Sequence, residues 1–112
     1  MPELVALPAA QPEPQPDGAW LGEILHVDRF GNLITNYRQD AEPLAGDPQG
    51  FSVQVSGRRI AQLSRTFADV EPGTLVAYIG SSGYLEVAVR EGRAAAQLGA
   101  EVGTPVRIEG RP

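Results

Sequence analysis

Phe51-Ser52-Val53-Gln54-Val55-Ser56-Gly57-Arg58-Arg59-Ile60-Ala61-Gln62-Leu63 is the stretch that decides the fold class. Phe51, Val53 and Val55 alternate with Ser52 and Gln54. That period of two puts one strand face in a core and the other in water. Ser56-Gly57 supplies a two-residue turn, and Arg58–Leu63 returns as the hairpin partner. The pattern continues in both directions. Downstream, Leu75–Gly80 and Leu85–Arg90 predict a second hairpin across Ser81-Ser82-Gly83-Tyr84. Upstream, Ala19–Val27 reads as a strand that Gly22 weakens or bulges. Leu33–Tyr37 follows it through a Phe30-Gly31-Asn32 turn. Residues 38–50, with Pro43, Gly46, Asp47, Pro48 and Gly50, read as loop. The Ala-rich stretch Arg93–Leu98, stopped by Gly99, predicts one short helix. Val106–Glu109 is a last strand. Seven short strands and one helical turn make an all-β domain, a small antiparallel β-barrel or sandwich with one short helix.

The chain has 112 residues, enough for one small domain and its core. Five of the ten prolines fall in residues 2–17. Proline fixes φ and removes a backbone donor, so residues 1–18 are expected to be a Pro-rich, flexible linker. The barrel is expected over 19–112. The Pro-rich start suits a tether that follows a domain encoded upstream.

Composition removes several function classes. The net charge is −5 and the nine arginines are scattered, with Arg58-Arg59 the one adjacent pair. Nucleic-acid binding needs a basic face that displaces counterions, so nucleic acid is not an expected partner. No apolar run reaches membrane-spanning length, and no secretion signal opens the chain. The expected compartment is cytoplasmic, with no membrane partner. Without cysteine, disulfides and thiolate metal sites are excluded. His26 is the single histidine, so no Ser-His-Asp set and no metal-ligand spacing can be built. No catalytic residue and no metal ligand is expected.

Two segments concentrate functional residue types. His26-Val27-Asp28-Arg29-Phe30-Gly31-Asn32-Leu33-Ile34-Thr35-Asn36 packs an acid, an aromatic, a glycine and two asparagines into a strand–turn–strand. Aspartate and asparagine in such a turn commonly bond the local backbone. Glycine-flanked Ser81-Ser82 at a hairpin tip can offer hydroxyls and N–H groups to a carboxylate. On spacing alone, both segments read first as ordinary turns.

Taken together, Asp28-Arg29-Phe30-Gly31-Asn32-Leu33-Ile34-Thr35-Asn36, Gly80-Ser81-Ser82-Gly83-Tyr84-Leu85-Glu86 and Gly92-Arg93-Ala94-Ala95 resemble the C-terminal domain of the S-adenosylmethionine (SAM) hydroxide adenosyltransferases, relatives of the SAM-dependent fluorinase and chlorinase. The resemblance covers about Gly22 to Ile108. It implies a small β-barrel that contributes half of an active site. Such enzymes hydrolyse SAM to adenosine and methionine. Their site lies between the N-terminal domain of one subunit and the C-terminal domain of its neighbour in a homotrimer.

By the same resemblance, Asp28 would meet the methionine ammonium, and Ser81 and Ser82 the methionine carboxylate. Asn32 would pair with the adenine edge, Phe30 and Phe67 would line the adenine pocket, and the Arg93-Ala94-Ala95 backbone would contact the ring. The residue chemistry suits those roles. An amide places a donor beside an acceptor, as adenine N7 and N6 require. Aromatic faces suit a purine. SAM is the expected substrate, with adenosine as its nucleoside part and no cofactor.

Three positions depart from the family pattern. Ser82 stands where the fluorinase-like enzymes carry Arg, which points to the hydrolase branch. Arg93 stands where Asn is common, a change that is harmless if the backbone makes the contact. Phe67 stands where Tyr is frequent. The water-positioning N-terminal domain is absent from the sequence, so this chain alone is expected to bind without hydrolysing. The alternatives are a stand-alone nucleoside-binding module without catalysis, and an oligomerisation barrel.

Overall fold

The computed structural model describes residues 11–45, 51–62 and 70–110. Eight strands and one helix occur among them: β1 (Glu13–Pro14), β2 (Trp20–Val27), β3 (Leu33–Arg38), β4 (Phe51–Val55), β5 (Arg58–Gln62), β6 (Leu75–Ile79), β7 (Tyr84–Val89), α1 (Ala94–Leu98) and β8 (Pro105–Gly110). The sheet runs β1-β2-β3-β7-β6-β5-β4-β8, and β2 also pairs with β8. That second pairing brings the sheet back on itself as a nearly closed barrel, which removes most open edges. The all-β barrel expectation therefore holds. The neighbours are antiparallel except β5 and β6, which run parallel at Ala61↔Val76 and Gln62↔Ala77. The two-residue β1 falls in the Pro-rich stretch. It pairs with Leu21 and Trp20 while its own side chains stay exposed.

Closure depends on β2 serving two neighbours. Its first half, Trp20–Glu23, pairs with β8, and its second half pairs with β3. The register slips between Ile24 and His26, where the strand changes partner. The irregularity anticipated at Gly22 thus lies further along. Gly22 instead allows a close approach, because a Cβ there would stand 2.7 Å from the Tyr37 ring. The Asn36 Oδ1 accepts the Glu23 N–H at 2.9 Å and so satisfies a backbone donor at this seam.

Alternation fills the interior. Val27, Leu33, Val87 and Ala77 stand opposite one another across four strands on the inner face. Ile24, Tyr37, Val53, Val55, Ile60, Val106 and Ile108 belong to the same core. Tyr37 is fully buried, and its hydroxyl donates to Val106 O at 2.8 Å. Burying a tyrosine costs little when the hydroxyl is paired in this way. Ala94 and Leu98 of α1 pack against the same cluster. The helix ends at Gly99, as its sequence predicts, with the Gly99 N–H bonded to Ala96 O at 3.3 Å.

Candidate functional site

The Asp28–Asn32 turn joins β2 to β3. Asp28 Oδ1 accepts the Phe30 N–H at 2.8 Å and the Asn32 N–H at 3.0 Å, and Gly31 N–H donates to Asp28 O at 2.9 Å. The carboxylate therefore organises the turn locally. Gly31 has φ +82, which a side chain rarely tolerates, and a Cβ there would lie 2.7 Å from Arg93 Cβ. The close approach lets Ala95 N–H donate to Gly31 O at 2.9 Å, so the start of α1 docks onto the turn. Asp28, Phe30, Asn32, Arg93, Ala94 and Ala95 are thereby brought together at one end of β7. Phe30 is 60% exposed, a large apolar ring at the surface. The Arg29 guanidinium stacks 5.1 Å from its centroid.

Ser81 and Ser82 are exposed at the opposite end of β7. Gly83 N–H donates to Gly80 O at 3.0 Å, and Gly80 N–H to Tyr84 O at 2.9 Å, which closes the hairpin with both serines at its tip. Leu33 pairs with Val87, whereas the serine turn precedes Tyr84. At 3.4 Å per residue, Val87 and Tyr84 are about 10 Å apart along the strand. A ligand that touches both turns must be extended, and the Asp28 charge is felt at Glu86 and Tyr78 between them. Phe67 lies outside the described residues.

Glu86 occupies the space between the two turns, and the residue-by-residue reading did not single it out. His26, Ile34, Glu86 and Tyr78 are cross-strand neighbours in one row on the outer face. The Tyr78 hydroxyl donates to Glu86 Oε1 at 3.4 Å. The Glu86 carboxylate also lies against Gly80, in space that a Cβ at Gly80 would claim. Partial burial pushes the Glu86 carboxyl above its ordinary value, and the nearby Asp28 charge adds to the rise, while the Tyr78 bond opposes it. The Tyr78 hydroxyl is also raised, first by burial and then by Glu86. The sequence carried a signal for Glu86. It is the one charged residue between Leu85, Val87 and Val89 in an otherwise apolar strand.

The outer face thus bears a polar track: Asn32 and Phe30 at one end, Glu86 in the middle, and the two serines at the other. His26 is exposed in the same row. A cavity of about 750 Å³, lined by Trp20, Leu25, Arg38, Tyr84 and Val102 among others, includes none of the sequence-predicted site residues. Among the described residues, no group of three or more His, Cys, Asp or Glu side chains could hold a metal. No helix among them is long and apolar enough to cross a membrane.

Residues 22–107 match the family model of the SAM hydroxide adenosyltransferase C-terminal domain. A Thermus thermophilus protein named (R)-S-adenosyl-L-methionine hydrolase is 48% identical over 87 residues, which is 78% of this chain and 31% of that protein. A Salinispora tropica protein of the same name is 39% identical over 106 residues, 94% of this chain and 38% of that protein. The chain thus spans about a third of the length of these curated relatives. A crystal structure of a conserved hypothetical protein from Thermus thermophilus superposes with a TM-score of 0.64 at 48% identity, over 79% of this chain and 34% of that one. An uncharacterized conserved protein from Thermotoga maritima superposes with a TM-score of 0.70 at 31% identity, over 88% of this chain and 38% of that one.

Proposed function

Because this chain belongs to the SAM hydroxide adenosyltransferase C-terminal domain family, we propose that it supplies the adenine- and methionine-binding half of a site that hydrolyses SAM to adenosine and methionine. The polar track between the two turns of β7 carries this reading. SAM is an extended molecule with a purine at one end and an amino acid at the other. It also bears two cationic groups, which suits a track with Glu86 at its middle and Asp28 nearby.

In this reading Asn32 pairs with the adenine edge through its amide. Phe30, with Phe67, covers the purine face, and the backbone of Arg93 and Ala94 borders it. Ala95 N–H is already committed to Gly31. Ser81 and Ser82 hold the methionine carboxylate. The ammonium and the carboxylate of methionine share one carbon, so their partners must be adjacent. Glu86 lies against Gly80, the neighbour of Ser81, whereas Asp28 sits with Asn32. We therefore assign the ammonium chiefly to Glu86. Asp28 becomes the residue that shapes the turn and adds negative potential along the track. The groups that position the attacking water belong to an N-terminal domain outside this chain, in a cytoplasmic homotrimer whose neighbouring subunit closes the pocket.

A ¹H–¹⁵N titration of the chain with adenosine, methionine and SAM tests the assignment. Adenosine should shift Phe30–Asn32 and Arg93–Ala95. Methionine should shift Ser81–Glu86, and SAM both sets. Affinity should be weak, on the order of −5 kcal/mol, because half of the pocket is absent. Asn32→Ala should cost adenosine about 1–3 kcal/mol, and Glu71→Gln, on an exposed turn, nothing. If millimolar ligand moves neither turn, the chain is better read as an oligomerisation barrel.

A further inference from the structure

We infer that the Arg93 side chain is a positioning group for the adenine end: its guanidinium acts on the Asp28–Asn32 turn and does not itself touch the ligand. The inference rests on the nucleoside reading given above. Arg93 Nη1 donates to Arg29 O at 3.0 Å, across 64 positions of sequence. The stem of the same side chain packs on the bare Cα of Gly31. Two residues further on, Ala95 N–H donates to Gly31 O. Three contacts thus join the residues just before and within α1 to Arg29 and Gly31 of the turn.

The geometry separates two kinds of fastening. The bonds from Phe30 and Asn32 to Asp28 set the internal shape of the turn. They do not fix where the turn sits relative to α1. The Arg93 clip and the Ala95–Gly31 bond do that, and they set the distance between the Asn32 amide and the backbone of Arg93 and Ala94. Those are the two polar walls that a purine must fit between. A planar, forked donor can hold a carbonyl while its stem covers a glycine. The Arg29–Phe30 stack adds a further restraint, since the carbonyl that Arg93 holds belongs to the residue whose guanidinium covers Phe30.

Arg93→Ala and Arg93→Lys in the 112-residue chain, read by amide hydrogen exchange and by adenosine titration, test the inference. In Arg93→Ala, exchange at Gly31 and Ala95 should rise about tenfold while the urea midpoint of the whole domain stays unchanged. Adenosine affinity should fall about tenfold, the effect of one lost polar contact, and methionine affinity should not move. Arg93→Lys, which keeps a donor and a stem, should recover most of both changes. Unchanged exchange at Gly31 and Ala95 overturns the clip whatever the ligand does. Faster exchange with undiminished adenosine binding overturns the positioning role and leaves the nucleoside reading standing. Faster exchange in a protein whose wild type does not bind adenosine overturns the nucleoside reading, and with it any role for Arg93 in binding.

Discussion

In the proposed site, Glu86 is the side chain on which the amino-acid end turns. Its carboxyl is raised by partial burial and by Asp28, so the folded state holds the proton more tightly than the unfolded chain does. The sign follows from that direction. Whatever stability Glu86 contributes is full below the unfolded pKa and is lost as pH rises through the higher folded value. Glu86→Gln should therefore leave the protein equally or slightly more stable at pH 7, measured by urea unfolding. Its effect on binding should be opposite in sense. The variant should weaken methionine and SAM about tenfold and leave adenosine unaffected. In the wild type, methionine affinity should decline as pH is lowered through the raised Glu86 value, and adenosine affinity should not follow it. Equal loss for all three ligands would return the ammonium to another group. Little of this was legible beforehand. A glutamate on an apolar strand is visible in sequence, but its closeness to Ser81 depends on the hairpin register and on the absent side chain of Gly80.

The two turns and the strand between them form the working element. Gly80→Ala probes it as a unit. Gly80 has no positive φ, so alanine fits the backbone, but its Cβ would displace the Glu86 carboxylate, the free end of a flexible side chain. Stability should change by less than about 1 kcal/mol, whereas methionine binding should fall as far as it does in Glu86→Gln. A large loss of stability instead would mean that Glu86 cannot swing aside. Elements were the most legible scale in the sequence. The alternation of Phe51–Val55, the Ser56-Gly57 turn and the glycine that stops α1 all emerged as expected, because each rests on local geometry. What local geometry does not encode was missed. The pairing of Glu13–Pro14 puts proline on an edge strand, where it is tolerated, but needs β2 as a template. The parallel pairing of β5 with β6 depends on a crossover that no periodicity announces. The row that sets Glu86 beside Ile34 and Tyr78 follows only once β3, β7 and β6 are in register.

At the scale of the whole molecule, half of a binding site on the outside of a barrel is a track with one wall. Phe30 shows the consequence, as a large apolar ring left facing solvent. The barrel supplies shape at that end through bonded turns, and the partner domain proposed above would supply cover and water. The ladder has a seam as well. Among the described residues the parallel β5–β6 pairing spans two positions, while β4 and β8 share five and β6 and β7 share five. Short parallel ladders hold less firmly than long antiparallel ones. Among the strands that close the barrel, brief openings should therefore begin between β5 and β6, and amide exchange at Ala61 and Gln62 should be faster than in β4, β7 and β8. Since β6 runs directly into Gly80 and Ser81, each opening would loosen the grip on the amino-acid end and spare the purine end, anchored on β2, β3 and α1. Of two products leaving such a site, methionine would have a door built into the wall of the barrel, and adenosine would have to wait for the neighbour to move.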